Sequence, residues 1–191
     1  MQRAGFLRRA ALVAGSAAGA SLILGPREAE QAEAQSAADK RALNLALTVE
    51  YAEAVFYAEA VKRGKLDGEL RAFAEQVSGQ EDDHVAFIKS ALGSSARGKP
   101  QFDFGDATGD PDAFADRAAE LEDLAVSAYA GQAGNLSKAT LKAAATLISV
   151  EARHAAWIRS IVGRPPASEP TDTPRDADQV MSDLKRLGLK G

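Results

Sequence analysis

Glu81-Asp-Asp-His84 and Glu151-Ala-Arg-His154 decide the fold of this chain, whose only two histidines lie in these two motifs. Residues three apart share one face of a helix, so each motif directs a carboxylate and an imidazole to the same place. Two such helices, with one glutamate from each of two further helices, are typical of di-iron or di-manganese sites in four-helix bundles. The rest of the sequence is therefore expected to supply four helices and two more glutamates.

Capping residues, glycines and prolines divide the chain into four long helices and one short helix. The predicted helices run from Ser36 to Arg63, from Asp67 to Leu92, from Asp110-Pro111 to near Gly131 or Gly134, from Ser137 to Gly163, and over residues 176–187. Short links join the first helix to the second and the third to the fourth, which predicts two antiparallel hairpins.

A long connection, residues 93–110, separates the two hairpins and contains Phe102 and Phe104, which we expect to anchor it on the bundle. One long crossover distinguishes ferritin-like bundles from simple up-and-down ones. The predicted fold class is therefore all-α, a ferritin-like four-helix bundle over residues 36–163. Residues 164–191 are expected to form an extended tail with a short C-terminal helix.

Residues 1–34 are expected to form an export signal. Three arginines precede the apolar residues 10–24, a run that is short for a membrane span, and Ala34 ends a small-x-small cleavage site. The adjacent Arg8-Arg9 resembles a twin-arginine signal, although neighbouring residues depart from the fuller pattern. An ordinary secretion signal and an uncleaved anchor are the alternatives. The protein is thus predicted to act in the periplasm, the cell envelope or outside the cell.

Composition limits the chemistry of the chain. The formal net charge is −4, and nothing in the sequence suggests a basic groove for nucleic acid or a basic membrane-binding face. The chain has no cysteine, so it can form neither a disulfide nor a thiolate metal site. Any bound metal must therefore have oxygen and nitrogen ligands. A set of four carboxylates and two imidazoles suits iron or manganese better than copper or zinc.

The two missing glutamates are chosen by the helix face on which they lie. On the third helix, Glu122 shares an apolar stripe with alanines and aromatic residues, whereas Glu120 lies on a polar stripe, so Glu122 is the predicted ligand. On the first helix, Glu50 lies on an apolar stripe, but Glu53 also has apolar neighbours. The helix face alone does not decide between them. The internal similarity of the two hairpins favours Glu50, and Glu53 stays open as a ligand or as a supporting residue beside the ligands.

An internal similarity between the hairpins supports this choice. Glu50 precedes Tyr57 by seven residues, and Glu122 precedes Tyr129 by the same interval, two helical turns along one face. The Glu-x-x-His motifs align with each other in the same way. The tyrosines are interpreted as core residues, with hydrogen bonding near the metals as the alternative. Asp83 and Arg153 are candidates for contacts to the ligands, or are simply solvated charges.

Several segments resemble the exported bacterial ferritin-like domain family, which is related to plant desiccation-related proteins. The resemblance covers about residues 38–163. It rests on the segments Leu-Asn-Leu-Ala-Leu-Thr-Val-Glu50-Tyr, Gln101-Phe-Asp-Phe-Gly105, Leu121-Glu122-Asp-Leu-Ala-Val-Ser-Ala-Tyr129 and Glu151-Ala-Arg-His154-Ala-Ala.

The ligand pattern of this family is similar to that of bacterioferritin and rubrerythrin. It implies two iron or manganese ions bound by Glu50, Glu81, His84, Glu122, Glu151 and His154. Glu81 and Glu151 would bridge the ions, Glu50 and Glu122 would be terminal ligands, and each ion would take one histidine. The chain lacks the cysteines of a rubredoxin-type centre, so a rubrerythrin-style peroxidase with its own electron-transfer module is excluded.

Three functions fit this sequence. The first is an oxidoreductase that acts on dioxygen or peroxide in the cell envelope. The second is a metal-binding or storage protein without turnover. The third is a structural stress protein, desiccation-related, with an unused site. The six intact ligands argue against the third function, and an oligomer is compatible with all three.

Overall fold

The computed structural model describes residues 35–190. The predicted export signal lies outside the described residues. Within them, the chain forms α1 (Ala37–Arg63), α2 (Gly68–Leu92), α3 (Pro111–Gln132), α4 (Lys138–Ile161) and α5 (Ala177–Leu187). The prediction of an all-helical bundle with a short C-terminal helix is confirmed. Only one predicted end shifts noticeably: α4 stops at Ile161 rather than Gly163, because Val162 already leaves helical geometry and Gly163 is left-handed at φ 70°.

Side-chain caps fix where several helices begin. Ser36 and Asp39 form a capping box at the start of α1, and Asp110 accepts a hydrogen bond from the amide of Ala113 at the start of α3. Asp39 also accepts a hydrogen bond of 2.8 Å from the backbone amide of Ser137, the N-cap of α4. This buried carboxylate therefore ties the start of α1 to the start of α4.

The crossover runs along α1 from its beginning to its end. Near the start of α1, Asn44 donates to the carbonyl of Ser95 and accepts from the amide of Arg97, at 3.0 and 2.8 Å. At the end of α1, Arg63 donates to the carbonyl of Gly105 at 3.2 Å. Helix α3 therefore begins beside the end of α1 and runs antiparallel to it.

Aromatic rings attach the crossover to the bundle, as predicted. Phe104 is buried and meets Phe56 of α1 edge to face, with ring centroids 5.2 Å apart. Phe56 also stacks on Phe114 of α3 at 5.1 Å, and Phe102, which is half-buried, stacks on Phe104 at 5.8 Å. These rings form one cluster that holds α1, α3 and the crossover together.

The C-terminal helix α5 completes the core by burying Val180, Leu184 and Leu187. Beyond it, Leu189 pairs with Phe102 of the crossover in an isolated β-bridge, supported by hydrogen bonds to residues 101 and 103. Of the helices that the structure describes, none combines the length and the apolar character needed to cross a bilayer.

Candidate metal centre

The middle of the bundle holds a cluster of buried carboxylates and imidazoles. Each long helix contributes: α1 and α3 supply glutamates alone, and α2 and α4 each supply a glutamate and a histidine. The five glutamates have no solvent exposure, and the two histidines have 6% or less. The cluster consists of Glu50, Glu53, Glu81, His84, Glu122, Glu151 and His154, and so contains all six residues that the sequence predicts as ligands.

Six of these side chains form two overlapping groups that could each hold a metal ion. Within each group, the potential ligand atoms all lie within 4.8 Å of one another. The groups share Glu81 and Glu151 and differ in the terminal glutamate and the histidine. They comprise Glu50, Glu81, His84 and Glu151 in one, and Glu81, Glu122, Glu151 and His154 in the other.

The contacts of His84 show how one group converges. Its Nδ1 lies 2.7 Å from Oε1 of Glu151, 3.2 Å from Oε2 of Glu50 and 3.2 Å from Oε2 of Glu81. A single N–H group cannot satisfy three carboxylate oxygens with good geometry. A cation between the nitrogen and the oxygens would contact all four atoms, so this arrangement fits a metal ion.

His154 occupies the corresponding place in the second group. Its Nδ1 lies 3.1 Å from Oε1 of Glu81, 3.5 Å from Oε2 of Glu122 and 3.6 Å from Oε2 of Glu151. The imidazole rings of His84 and His154 are 6.0 Å apart. The two groups therefore lie side by side, with the shared carboxylates of Glu81 and Glu151 between them.

Many polar atoms of the cluster have no hydrogen-bond partner among the described residues. They include Nδ1 of His154, both carboxylate oxygens of Glu151, and one oxygen each of Glu50, Glu81 and Glu122. Burying unpartnered charged groups is costly unless a metal or a counter-ion compensates. Because the unpartnered atoms are nitrogen and carboxylate oxygen, the residues present fit a pair of divalent iron or manganese ions.

Close contacts with carboxylates control the protonation of the two histidines. Burial favours the neutral imidazole, but the surrounding carboxylates, whose oxygens lie 2.7 to 3.6 Å from Nδ1, outweigh burial and raise the pKa of His84 and of His154 to about 12. Burial likewise opposes ionisation of Glu81, but its close contacts with the two histidines lower its pKa to about 2. Without metal, both imidazoles are therefore cationic near neutral pH and serve as counter-ions.

The remaining carboxyls shift in the opposite direction. Burial, followed by repulsion from Glu151, raises the pKa of Glu50 well above its usual range, and burial with repulsion from Glu122 does the same for Glu53. Burial raises the pKa of Glu122 to about 8, although the nearby imidazole of His154 opposes the shift. The metal-free cluster therefore holds protons at neutral pH that a metal would have to displace.

Two buried tyrosines hold the terminal glutamates across the bundle. The hydroxyl of Tyr57 on α1 donates to Glu122 on α3, and the hydroxyl of Tyr129 on α3 donates to Glu50 on α1. The helical spacing predicts that both tyrosines lie on the buried face, where core packing is the main interpretation and hydrogen bonding near the metals is the alternative. The structure gives them a second role, because each one orients a carboxylate of the opposite hairpin.

Glu53 is the one cluster residue outside the two four-residue groups. It is fully buried, and neither of its carboxylate oxygens has a hydrogen-bond partner within residues 35–190. The groups that could hold an ion include Glu50, the residue that the internal similarity favours, and leave out Glu53. They also include Glu122, whereas Glu120 is exposed and pairs with Arg186 on α5.

Sequence reasoning missed one contact to the cluster. Asp83 and Arg153 are exposed, in agreement with their interpretation as solvated charges, and Arg153 donates a hydrogen bond to Ser149. Gln80 of α2 contacts a candidate ligand, with its Oε1 2.6 Å from Nε2 of His154 on α4. This contact depends on the spacing between α2 and α4, for which a single sequence carries no signal.

The metal-free protein is expected to lose stability as the pH rises from about 5 to 8. A carboxyl with a higher pKa in the folded state binds more protons when folded, so its contribution falls as pH rises from its usual value near 4.5 to the folded value, about 8 for Glu122. The raised pKa values of both histidines act with the same sign above about pH 6.5. Melting temperatures in the presence of a chelator measure this trend.

Manganese should reverse the trend, because its ligands must lose protons before they bind. The melting shift that Mn(II) produces is therefore expected to grow between pH 5 and pH 8, while the chelated protein melts earlier. If both forms show parallel pH profiles, the raised pKa values do not belong to the metal-binding residues.

Comparison with known proteins agrees with this geometry. A family model described as a ferritin-like domain matches residues 38–164, which include all four long helices and every residue of the buried cluster. No curated protein matches the chain.

Proposed function

The chain belongs to the ferritin-like domain family, and we propose that it is an exported di-metal carboxylate protein that holds two iron or manganese ions. In this proposal the protein is an oxidoreductase that consumes dioxygen or peroxide and protects the cell envelope from oxidative or desiccation stress. The observation that carries the proposal is the pair of overlapping ligand groups sharing Glu81 and Glu151.

Each residue of the two groups has a distinct role in this proposal. Glu81 and Glu151 would help to hold both ions, because both residues belong to both groups. Glu50 and His84 would complete one position, and Glu122 and His154 would complete the other. Four carboxylates offset the charge of two divalent ions, and carboxylates tolerate a change between one- and two-oxygen binding when the oxidation state changes.

The chain prepares the site in two further ways. Tyr57 and Tyr129 fix the terminal glutamates by hydrogen bonds, so that one oxygen of each carboxylate remains free. The buried core around the cluster excludes bulk water, which strengthens electrostatic interactions at the ligands. When bound, a pair of iron or manganese ions would supply redox chemistry toward dioxygen or peroxide.

The export part of the proposal rests on the sequence of residues 1–34. Arg8-Arg9, the apolar run and the small residues before Gln35 together favour export through a twin-arginine route with cleavage after Ala34. That route carries folded proteins, which would allow the cofactor to be loaded before export.

The test is elemental analysis of the protein purified from its native host, combined with oxygen- and peroxide-consumption assays. We expect about two iron or manganese ions per chain and consumption that falls to background in Glu151→Ala, while the exposed Glu120→Ala keeps the wild-type rate. Two bound ions without any consumption would instead support the storage function. A protein without metal, which also fails to take up Fe(II) or Mn(II), would leave only the structural stress function.

A further inference from the structure

One difference between the two metal positions is a pair of equivalent residues on α2 and α4. Glu81 and His84 on α2 correspond to Glu151 and His154 on α4, so the residue before each glutamate is also equivalent. On α2 that residue is Gln80, and on α4 it is Val150. Both residues are half-buried. The ligands therefore repeat between the hairpins, but this flanking position changes from an amide to an apolar side chain.

Gln80 fixes the orientation of His154. Its Oε1 lies 2.6 Å from Nε2 of His154, and a carbonyl oxygen can only accept a hydrogen bond. Nε2 must therefore carry a proton in this contact. When the ring gives up its other proton to bind a metal, the lone pair lies on Nδ1. That atom is the one facing Glu81 and Glu122. A hydrogen bond of this kind sets the tautomer and the ring orientation of a metal-binding histidine.

His84 lacks the corresponding support. All its polar contacts to described residues go through Nδ1, and they reach only carboxylates of the cluster. Val150 has no group that could accept a hydrogen bond from Nε2 of His84. The His84 side chain is also slightly more exposed than that of His154, 8% against 4%. Its ring is therefore held by fewer interactions.

We propose that Gln80 is a positioning residue that makes the two metal positions unequal. The position of Glu122 and His154 binds an ion first and more tightly, and the position of Glu50 and His84 fills second and exchanges its ion more readily. This inference rests on the proposed function, because it requires that the cluster binds two ions. It adds an order of loading and identifies which ion is the exchangeable one.

The test is a titration of the full chain with Mn(II), followed by calorimetry and by electron paramagnetic resonance, which distinguishes isolated from paired Mn(II). Wild type should bind in two separate steps and show mainly isolated Mn(II) at one equivalent. Gln80→Val should weaken the first step by about 10- to 100-fold, the usual effect of losing such a partner, and make the steps merge. Gln80→Glu keeps an acceptor and should retain two steps.

Three further variants complete the design. Gln76→Val removes an exposed glutamine one turn earlier on α2 and should leave both steps unchanged. Val150→Gln gives His84 an acceptor and should strengthen the second step by about tenfold or more. The first step should disappear in His154→Ala, which assigns it to the position beside Gln80.

The outcomes separate this inference from the function on which it rests. If Gln80→Val binds two ions with unchanged affinities, this inference is wrong and the di-metal proposal still stands. The same conclusion follows if the second step of Val150→Gln keeps the wild-type affinity. A wild-type chain that binds no Mn(II) or Fe(II) overturns the di-metal proposal together with this inference.

Discussion

Replacing Glu151 by alanine is expected to abolish the stabilisation that Fe(II) or Mn(II) gives to this protein. Metal that binds only the folded state, at a hundredfold excess over its dissociation constant, should raise the free energy of unfolding of the wild type by about 2.7 kcal/mol. Glu151 belongs to both ligand groups, so its loss damages both positions at once. Melting curves with and without metal measure the effect, and Glu81→Ala should behave in the same way.

Glu120→Ala is the matched control for this experiment. Glu120 lies on the same bundle but is exposed and pairs with Arg186, so its removal should leave the metal-dependent shift unchanged. Circular dichroism should show that the helices remain in Glu151→Ala, because removing a buried carboxylate also relieves repulsion within the metal-free cluster. Equal metal-dependent shifts in Glu151→Ala and wild type would contradict the di-metal site.

Phe56→Ala should produce the largest loss of stability, about 3 to 5 kcal/mol in the free energy of unfolding. Its ring has no solvent exposure and contacts Tyr57, Phe104 and Phe114 at centroid distances of 5.1 to 5.2 Å. Truncation would leave a cavity where α1, α3 and the crossover meet. Urea denaturation of the metal-free protein measures the change without a contribution from bound metal.

Val61→Ala provides the comparison on the same helix. Val61 is 39% exposed, so its truncation should cost well under 1 kcal/mol. A cost for Phe56→Ala as small as that for Val61→Ala would mean that the aromatic cluster does not hold the crossover on the bundle.

The architecture could be predicted from the sequence because its signals are local. Ser36, Asp110-Pro111 and Ser137 mark helix starts through their own capping chemistry, and the apolar stripes identify the buried face of each helix. The same stripes separated Glu122 from Glu120. Each of these inferences needs only residues within a few turns of one helix.

Contacts between helices could not be predicted in this way. The bonds of Tyr57 to Glu122 and of Gln80 to His154 join residues 65 and 74 positions apart, and they depend on the distance and rotation between packed helices. Of the two interpretations of Asp83 and Arg153, the solvated charge agrees with the structure, because both residues are exposed although each adjoins a predicted ligand in the sequence. Neighbours in sequence are a poor guide to neighbours in a bundle core.

The crossed tyrosine bonds have a consequence for how this centre can change over generations. Tyr57 of the first hairpin holds Glu122 of the second, and Tyr129 of the second holds Glu50 of the first. Each hairpin thus behaves like one subunit of a two-fold dimer that meets its partner at the centre. In a dimer of identical subunits every substitution appears twice. Here the two halves are encoded separately, so selection can alter one half of the centre and leave the other as it was.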